Sequence, residues 1–285
     1  MKKNDLIEQG YQAYKAPAKI NLFLKIVGKR QNGFHELQSV FQLIDLYDEI
    51  FIKVREDGQI NFINESKKIS KNDDLGLKAA KLILHGKQSG VDIYLKKNIP
   101  IGAGLGGGSS DAATILLGIN NLCDLKLSKK ELMDIGLKLG ADVPFFVFGE
   151  NAWVEGVGES VRKIIIPKST YYICYPNFPI STESVFKSFK LTKDPITMKI
   201  TSYFSDKLEG LNNDLEQTIT EKYVKMKELL DWMNNFGCAK ISGTGSSVFV
   251  KIKDINQIQF LDEKKPIDTV SFIVKGLSEH PCYKV

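Results

Sequence analysis

The stretch Pro100-Ile-Gly-Ala-Gly-Leu-Gly-Gly-Gly-Ser-Ser110 packs five glycines into seven residues. Glycine is needed where backbone N–H groups must crowd around a ligand or where φ must be positive. Just downstream, Ala112, Ile115, Leu116, Ile119 and Leu122 recur at helical spacing, so the loop opens a helix. The unpaired N–H groups and the dipole of a helix start favour a bound phosphate. Ser109 and Ser110 add hydroxyls that reach phosphate or magnesium. The stretch therefore reads as a nucleotide cradle made of Pro100, Ile101, Gly102, Ala103, Gly104, Leu105, Gly106, Gly107, Gly108, Ser109 and Ser110.

Two other phosphate loops fit less well. No G-x-x-x-x-G-K-[ST] run occurs anywhere, which excludes a Walker-type site. Gly102, Gly104 and Gly107 do spell G-x-G-x-x-G, the dinucleotide fingerprint. That fingerprint follows a continuously apolar parallel strand. Here the preceding residues, Val91-Asp-Ile-Tyr-Leu-Lys-Lys97, alternate and carry charge, and Pro100 interrupts them.

Upstream of the loop, residues 16–26 alternate cleanly, with Lys19 and Asn21 on one side and Ala18, Ile20 and Leu22 on the other. This pattern predicts a half-buried strand. Residues 37–46, 48–54 and 59–63 read as further strands of an antiparallel sheet, and residues 74–84 as a helix. A short strand over 91–95 leads into the glycine loop. Beyond the loop, the capping box Ser128-x-x-Glu131 starts a helix that Gly140 stops, and 145–148 reads as an apolar strand.

In the second half, strands are expected over 171–175, 239–241, 248–252 and 270–275. A long helix is expected from Asn213-x-x-Glu216 to Gly237, and a short one near 255–261. Residues 187–208 carry no clear pattern and suit a variable loop. The whole reads as α+β.

Length and composition set outer limits. A chain of 285 residues, 43% hydrophobic, fits about two domains. The net charge of +5 is mild and the lysines alternate with acids, so no basic stripe points to nucleic acid. No run of eighteen apolar residues suggests a membrane span. Cys123, Cys174, Cys238 and Cys282 lie far apart, which suits small buried thiols in a reducing cytoplasm. His35, His85 and His280 are too scattered to suggest a metal cluster, and the metal site stays unassigned, with Ser110 the first choice.

Several motifs occur in order: Pro17-Ala-Lys-Ile-Asn-Leu-Phe-Leu24, Gly33-Phe-His35, Gly104-Leu-Gly-Gly-Gly-Ser-Ser110, Gly140-Ala-Asp-Val-Pro144, Glu155-Gly-Val-Gly158 and Ser242-Gly-Thr-Gly245. Together they resemble the GHMP kinases, whose hallmark is a Pro-x-x-x-Gly-Leu-Gly-x-x-Ser-type loop. The resemblance implies a two-domain α+β fold. Residues 1–160 would form a ribosomal protein S5 domain 2-like ATP-binding part, and 161–285 a ferredoxin-like part. The active site would lie in the cleft between them. It also implies a cytoplasmic, ATP- and Mg2+-dependent kinase, a monomer or weak homodimer. The branch most resembled takes a cytidine diphosphate-linked methylerythritol as its small-molecule substrate.

By that resemblance Lys19 and Asp142 are the catalytic pair, Asp142 taking the hydroxyl proton and Lys19 steadying the phosphoryl group. Asn21, Phe34, His35, Thr182 and Phe186 would bind substrate. Read alone, Asp142 suits a helix cap as well as a base, and Lys19 suits a solvated strand. Phe34 replaces the tyrosine expected of the family, and Asp73-Asp74-Leu75 departs from its usual Asp-Asn-Leu. Two alternatives stand: another GHMP kinase acting on homoserine or a mevalonate derivative, or a non-catalytic nucleotide- or RNA-binding module.

Overall fold

A long antiparallel ribbon, β1 (Gln12–Lys29) against β2 (His35–Arg55), organises the computed structural model. The structure describes residues 3–66, 69–191, 197–198, 211–254 and 256–283. Sequence alone splits β2 into two strands, yet it is one. Pro17 has no N–H for the ladder, and the register jumps there, from Pro17 opposite Tyr47 to Ala18 opposite Ile44. The extra residues of β2 bulge, so a local break in pattern coexists with a continuous strand.

One edge of β2 is filled by β1. The other is shared by β5 (Ala152–Gly156) at 37–41 and β4 (Gly90–Lys96) at 49–55. β6 (Ser160–Lys163) pairs with β5, and β3 (Ile60–Asn64) pairs with β4 in parallel rather than antiparallel. The crossover helix α2 (Leu75–Ile83) between β3 and β4 makes that parallel pairing possible. The sequence reading passed over β5 and β6, and the short first helix, α1 (Lys3–Glu8).

The second sheet runs β10 (Val270–Lys275), β7 (Thr170–Tyr175), β9 (Val248–Ile252), β8 (Lys240–Ile241), all antiparallel. Its strands alternate as strands should. Tyr171 and Ile173 pack on Ala18, Ile20 and Ile44 of the ribbon. Tyr172 and Cys174 face the other way, with Ile219, Met226, Leu229 and Leu261. The ribbon's opposite face packs on α2, α3 (Gly107–Leu122), α4 (Lys129–Leu137) and α5 (Val143–Phe148).

That sandwiching overturns the half-buried reading of β1. Both of its faces are covered, and Lys19 and Asn21 are 3% and 1% exposed. Trp153, Phe23, Phe41, Phe145 and Phe146 are each at most 2% exposed. Burying a side chain of this size stabilises by roughly 1.5–3 kcal/mol.

Two more expectations change. Residues 145–148 belong to a helix, α5, with Pro144 in its first turn and Gly149 ending it at φ 79°. A four-residue apolar run fits either element, and only packing decides. The expected helix to Gly237 is two, α7 (Glu216–Lys222) and α8 (Val224–Asn234). Tyr223 between them is extended, its ring 6.1 Å from that of Phe178. No glycine or proline marks that break.

The capping box at Ser128 and Glu131 forms as read. Of the cysteines, Cys174 is buried, Cys123 and Cys282 are half-buried, and Cys238 is exposed. Within 187–208, residues 192–196 and 199–208 lie outside the described residues, as does Ile255 before α9 (Asn256–Lys264).

The C-terminal turn is pinned to α3 by His280, which is fully buried. Its Nδ1 accepts from the Cys282 N–H at 3.2 Å, so Nε2 carries the proton and faces Thr114 Oγ1 at 3.2 Å. Burial pushes this imidazole down to about 3. The unfolded ring takes up a proton below about pH 6.5, whereas the folded ring resists until about pH 3. Stability therefore falls as the pH drops between those values. Denaturant titrations should show the chain losing about 2 kcal/mol more than His280→Gln between pH 7 and pH 5.

Candidate active site

Lys19 stands at the centre of β1, its side chain 4% exposed. Its Nζ donates to Asn21 Oδ1 at 2.7 Å and lies 3.4 Å from Asp142 Oδ2. The Phe41 ring on β2 sits below, 4.6 Å from the ammonium, a cation–π distance. Asp142 occupies the N-cap position of α5 but makes no capping hydrogen bond. Its carboxylate, 31% exposed, is turned to Lys19 and the open cleft instead. Two residues 123 positions apart in the chain thus meet.

The glycine loop closes over this pair. Lys19 N–H donates to Leu105 O at 2.9 Å, tying the loop to β1. Gly102, Gly104 and Gly106 all have positive φ. At Gly104 a Cβ would stand 2.1 Å from Ser242 O and 2.8 Å from Gly245 O. The loop therefore lies directly against the turn Ser242–Gly245 of the second sheet, and only glycine allows that approach. Ser242 Oγ donates to Gly104 O at 2.9 Å, and Ser247 N–H to Ala103 O at 3.0 Å. Gly106 opens α3 in a left-handed conformation.

On the opposite side of Lys19, the β1–β2 turn presents His35. Its ring stacks on Phe186 at 5.2 Å, with Phe189 edge-on at 6.2 Å. Burial, aided by the charge of Lys29, lowers the His35 pKa. A neutral imidazole both donates and accepts, as a polar base edge requires. Thr182 and Phe186 sit on α6 (Thr182–Ser188), a helix the sequence reading missed. Thr182 Oγ1 is 3.0 Å from Thr244 Oγ1, linking this wall to the Ser242–Gly245 turn. Phe34 is 62% exposed at the rim. Arg30 binds Glu36 at 3.0 Å and Glu159 at 2.5 Å, fastening the turn to the loop after β5.

A buried ionic cluster supports the loop from beneath. Lys97 bonds both Asp48 and Asp111, and Asp48 also accepts from the N–H groups of Asn98 and Ile99. Burial raises the Asp111 pKa well above the carboxylate range, against the pull of Lys97. Burial opposes the charge on Lys97 too, but Asp111 and Asp48 outweigh it and its pKa is raised. Ser110 Oγ and Asp111 Oδ1, both buried near the start of α3, have no hydrogen-bond partner. Asp74, which departs from the family pattern, caps α2. Its Oδ1 accepts from Gly76 and Leu77, and its Oδ2 from Asn64.

The glycine loop, the Lys19–Asp142 pair and the His35–Phe186 wall border one cleft of about 960 Å³. Lys19, Asn21, Phe34, His35, Asp142, Thr182, Phe186 and every residue from Pro100 to Ser109 line it; Ser110 alone of the expected set lies behind the wall. Sequence reading assigned no role to Lys97, Asp111, Gly243 or Thr244, which also line the cleft. The Ser242–Gly245 turn stood out as a motif, but its contact with Gly104 is visible only in three dimensions.

A model of the GHMP kinases N terminal domain matches residues 74–150. Along 279 residues the chain is 41% identical to the 4-diphosphocytidyl-2-C-methyl-D-erythritol kinase of Polynucleobacter asymbioticus, covering 95% of each. The chain belongs to the 4-diphosphocytidyl-2-C-methyl-D-erythritol kinases of the GHMP kinase family. A crystal structure of 4-(cytidine 5'-diphospho)-2C-methyl-D-erythritol kinase superimposes with a TM-score of 0.81 at 28% identity, over 93% of this chain and 99% of that one. The Methanococcus jannaschii mevalonate kinase superimposes at 0.68 with 17% identity, over 94% of this chain and 99% of that one, which shows the shared two-domain α+β fold. Among the described residues, no helix is long and apolar enough to cross a membrane.

The contact at Gly104 gives a direct test. Gly104→Ala must push the loop off the Ser242–Gly245 turn and holds a side chain at positive φ. It is expected to weaken ADP binding about tenfold or more, an effect of at least about 1.4 kcal/mol. Isothermal titration calorimetry measures it.

Proposed function

We propose that the chain transfers the γ-phosphoryl group of ATP to the 2-hydroxyl of 4-diphosphocytidyl-2-C-methyl-D-erythritol, giving the 2-phosphate and ADP. This step belongs to the non-mevalonate route to isoprenoid precursors. The observation that carries the reading is the Lys19–Asp142 pair, 3.4 Å apart, with the glycine loop on one side and the His35–Phe186 stack on the other.

The nucleotide phosphates lie against the backbone N–H groups of the glycine loop and the start of α3. The cytosine ring enters beside His35 and Phe186, with Phe34 flanking it at the rim and Thr182 and Asn21 holding polar parts of the substrate. In the step itself, the alcohol oxygen bonds to the γ-phosphorus as the bond to the β-phosphate bridging oxygen breaks. The hydroxyl proton passes to Asp142, and ADP leaves. Phosphoryl transfer has a loose transition state, so positioning and charge neutralisation carry most of the catalysis. Lys19 supplies both, facing the transferring group while paired with the Asp142 carboxylate.

Ser110 Oγ and Asp111 Oδ1 are buried oxygens without partners at the loop's end, and oxygen donors of this kind suit Mg2+. Bound with ATP, Mg2+ would neutralise charge on the phosphates. The domain boundary belongs between β6 and β7, a few residues past the 160 read from the sequence. The first part carries the nucleotide loop and the second contributes the Ser242–Gly245 turn.

Purified chain incubated with the cytidine diphosphate-linked alcohol and Mg-ATP is expected to release ADP in step with phosphorylated product. Asp142→Asn should lower kcat by at least about 100-fold, as loss of a general base does, while ADP affinity stays within about threefold, a difference under 1 kcal/mol. No turnover by the unaltered chain would refute the reaction. Near-normal turnover by Asp142→Asn would remove that residue from the base role.

A further inference from the structure

Ser39 lies on β2 behind the catalytic pair, 0% exposed and away from the cleft lining. A serine hydroxyl has one proton to donate and lone pairs to accept with. Here the proton is committed, since Ser39 Oγ donates to Phe23 O. Phe23 follows the bulge at which the β1–β2 register shifts, between Asn21 and Phe23. Towards Asn21, then, Ser39 can only accept. Asn21 Nδ2 is the atom it meets, at 3.1 Å.

The consequence reaches Lys19. With Nδ2 held by Ser39, Asn21 must turn Oδ1 to the other side, where it accepts from Lys19 Nζ at 2.7 Å. The reversed amide would set an NH2 group against the ammonium, donor facing donor in a dry site, and would leave a carbonyl facing a hydroxyl with no proton to give. The other group near Oδ1 does not decide the matter. Ser242 Oγ is 3.5 Å away and gives its proton to Gly104 O at 2.9 Å.

We propose that Ser39 is a positioning residue for phosphoryl transfer: by fixing the amide orientation of Asn21, it keeps the Lys19 ammonium directed at the reacting groups. The proposal rests on the kinase reaction above. It assigns Ser39 no contact with substrate or nucleotide; its effect should run entirely through Asn21 and, because the oxygen it orients serves Lys19, should appear in kcat more than in KM.

A double-mutant cycle tests this. Ser39→Ala is expected to lower kcat about tenfold while KM for both substrates moves less than about threefold, the pattern of lost transition-state stabilisation. In an Asn21→Ala background the same substitution should change kcat less than about twofold, because the amide it orients is gone. A loss of equal size in both backgrounds, or no loss in either, overturns the proposal. Should Ser39→Ala fail to fold, Ser39→Cys keeps the volume with a weak donor and is read by the same rule. The unaltered chain serves as the control. Turnover by it without coupling between the two sites defeats this inference alone, whereas absence of turnover defeats the reaction on which it rests.

Discussion

An ammonium group withdrawn from water must be compensated where it sits, because the cost of burying it unpaired is several kcal/mol. Lys19 meets that demand with three partners: the Asn21 carbonyl oxygen at 2.7 Å, the Asp142 carboxylate at 3.4 Å and the Phe41 ring at 4.6 Å. Each comes from a different element, β1, the start of α5 and β2. Packing the ribbon between helices and a second sheet is what buries the lysine; pairing it is what holds those elements in register. The glycine loop can close only because its residues leave room. A Cβ on Gly106 would come within 3.1 Å of the Lys19 side chain and 2.9 Å of the Phe146 ring.

The two sides of the cleft are built differently, in keeping with what each is proposed to hold. The glycine-loop side offers backbone N–H groups braced by buried charges, with Lys97 joining Asp48 of β2 to Asp111 of α3. The far side offers rings and hydroxyls, and a histidine whose pKa burial lowers. A diphosphate needs the first kind of surface and a cytosine needs the second. Between them, the Ser242–Gly245 turn touches both, bonding Gly104 through Ser242 and Thr182 through Thr244. That shared turn gives the second half of the chain a direct part in the geometry of the first.

How much of this is legible in the sequence depends on the range of the interaction. The helix after the glycine loop, the capping box at Ser128, and most strands of the second half follow from local spacing, and they form as read. The failures share one cause. Strand β2 looks broken because Pro17 on a neighbouring strand imposes a bulge, and 143–148 is helical because of what it packs on. The alternation of β1 is genuine, but the glycine loop and α5 cover the face expected to be open, so Lys19 is buried rather than solvated. The candidate site was reached through ordered motifs, not through geometry. What motifs could not supply was the supporting cast of Phe41, Ser39, Lys97 and Asp111, residues of ordinary type whose contacts form only between elements distant in the chain.

The central claim is that a nucleotide's terminal phosphate, an acceptor hydroxyl, Lys19 and Asp142 converge at one point. A crystal structure with a non-hydrolysable ATP analogue and the cytidine diphosphate-linked alcohol together measures this directly. The account predicts the γ-phosphate between the glycine-loop amides and the Lys19 ammonium, with the 2-hydroxyl about 2.6–3.2 Å from an Asp142 oxygen. Phosphates lying outside the glycine loop, or a hydroxyl turned away from Asp142, would contradict it.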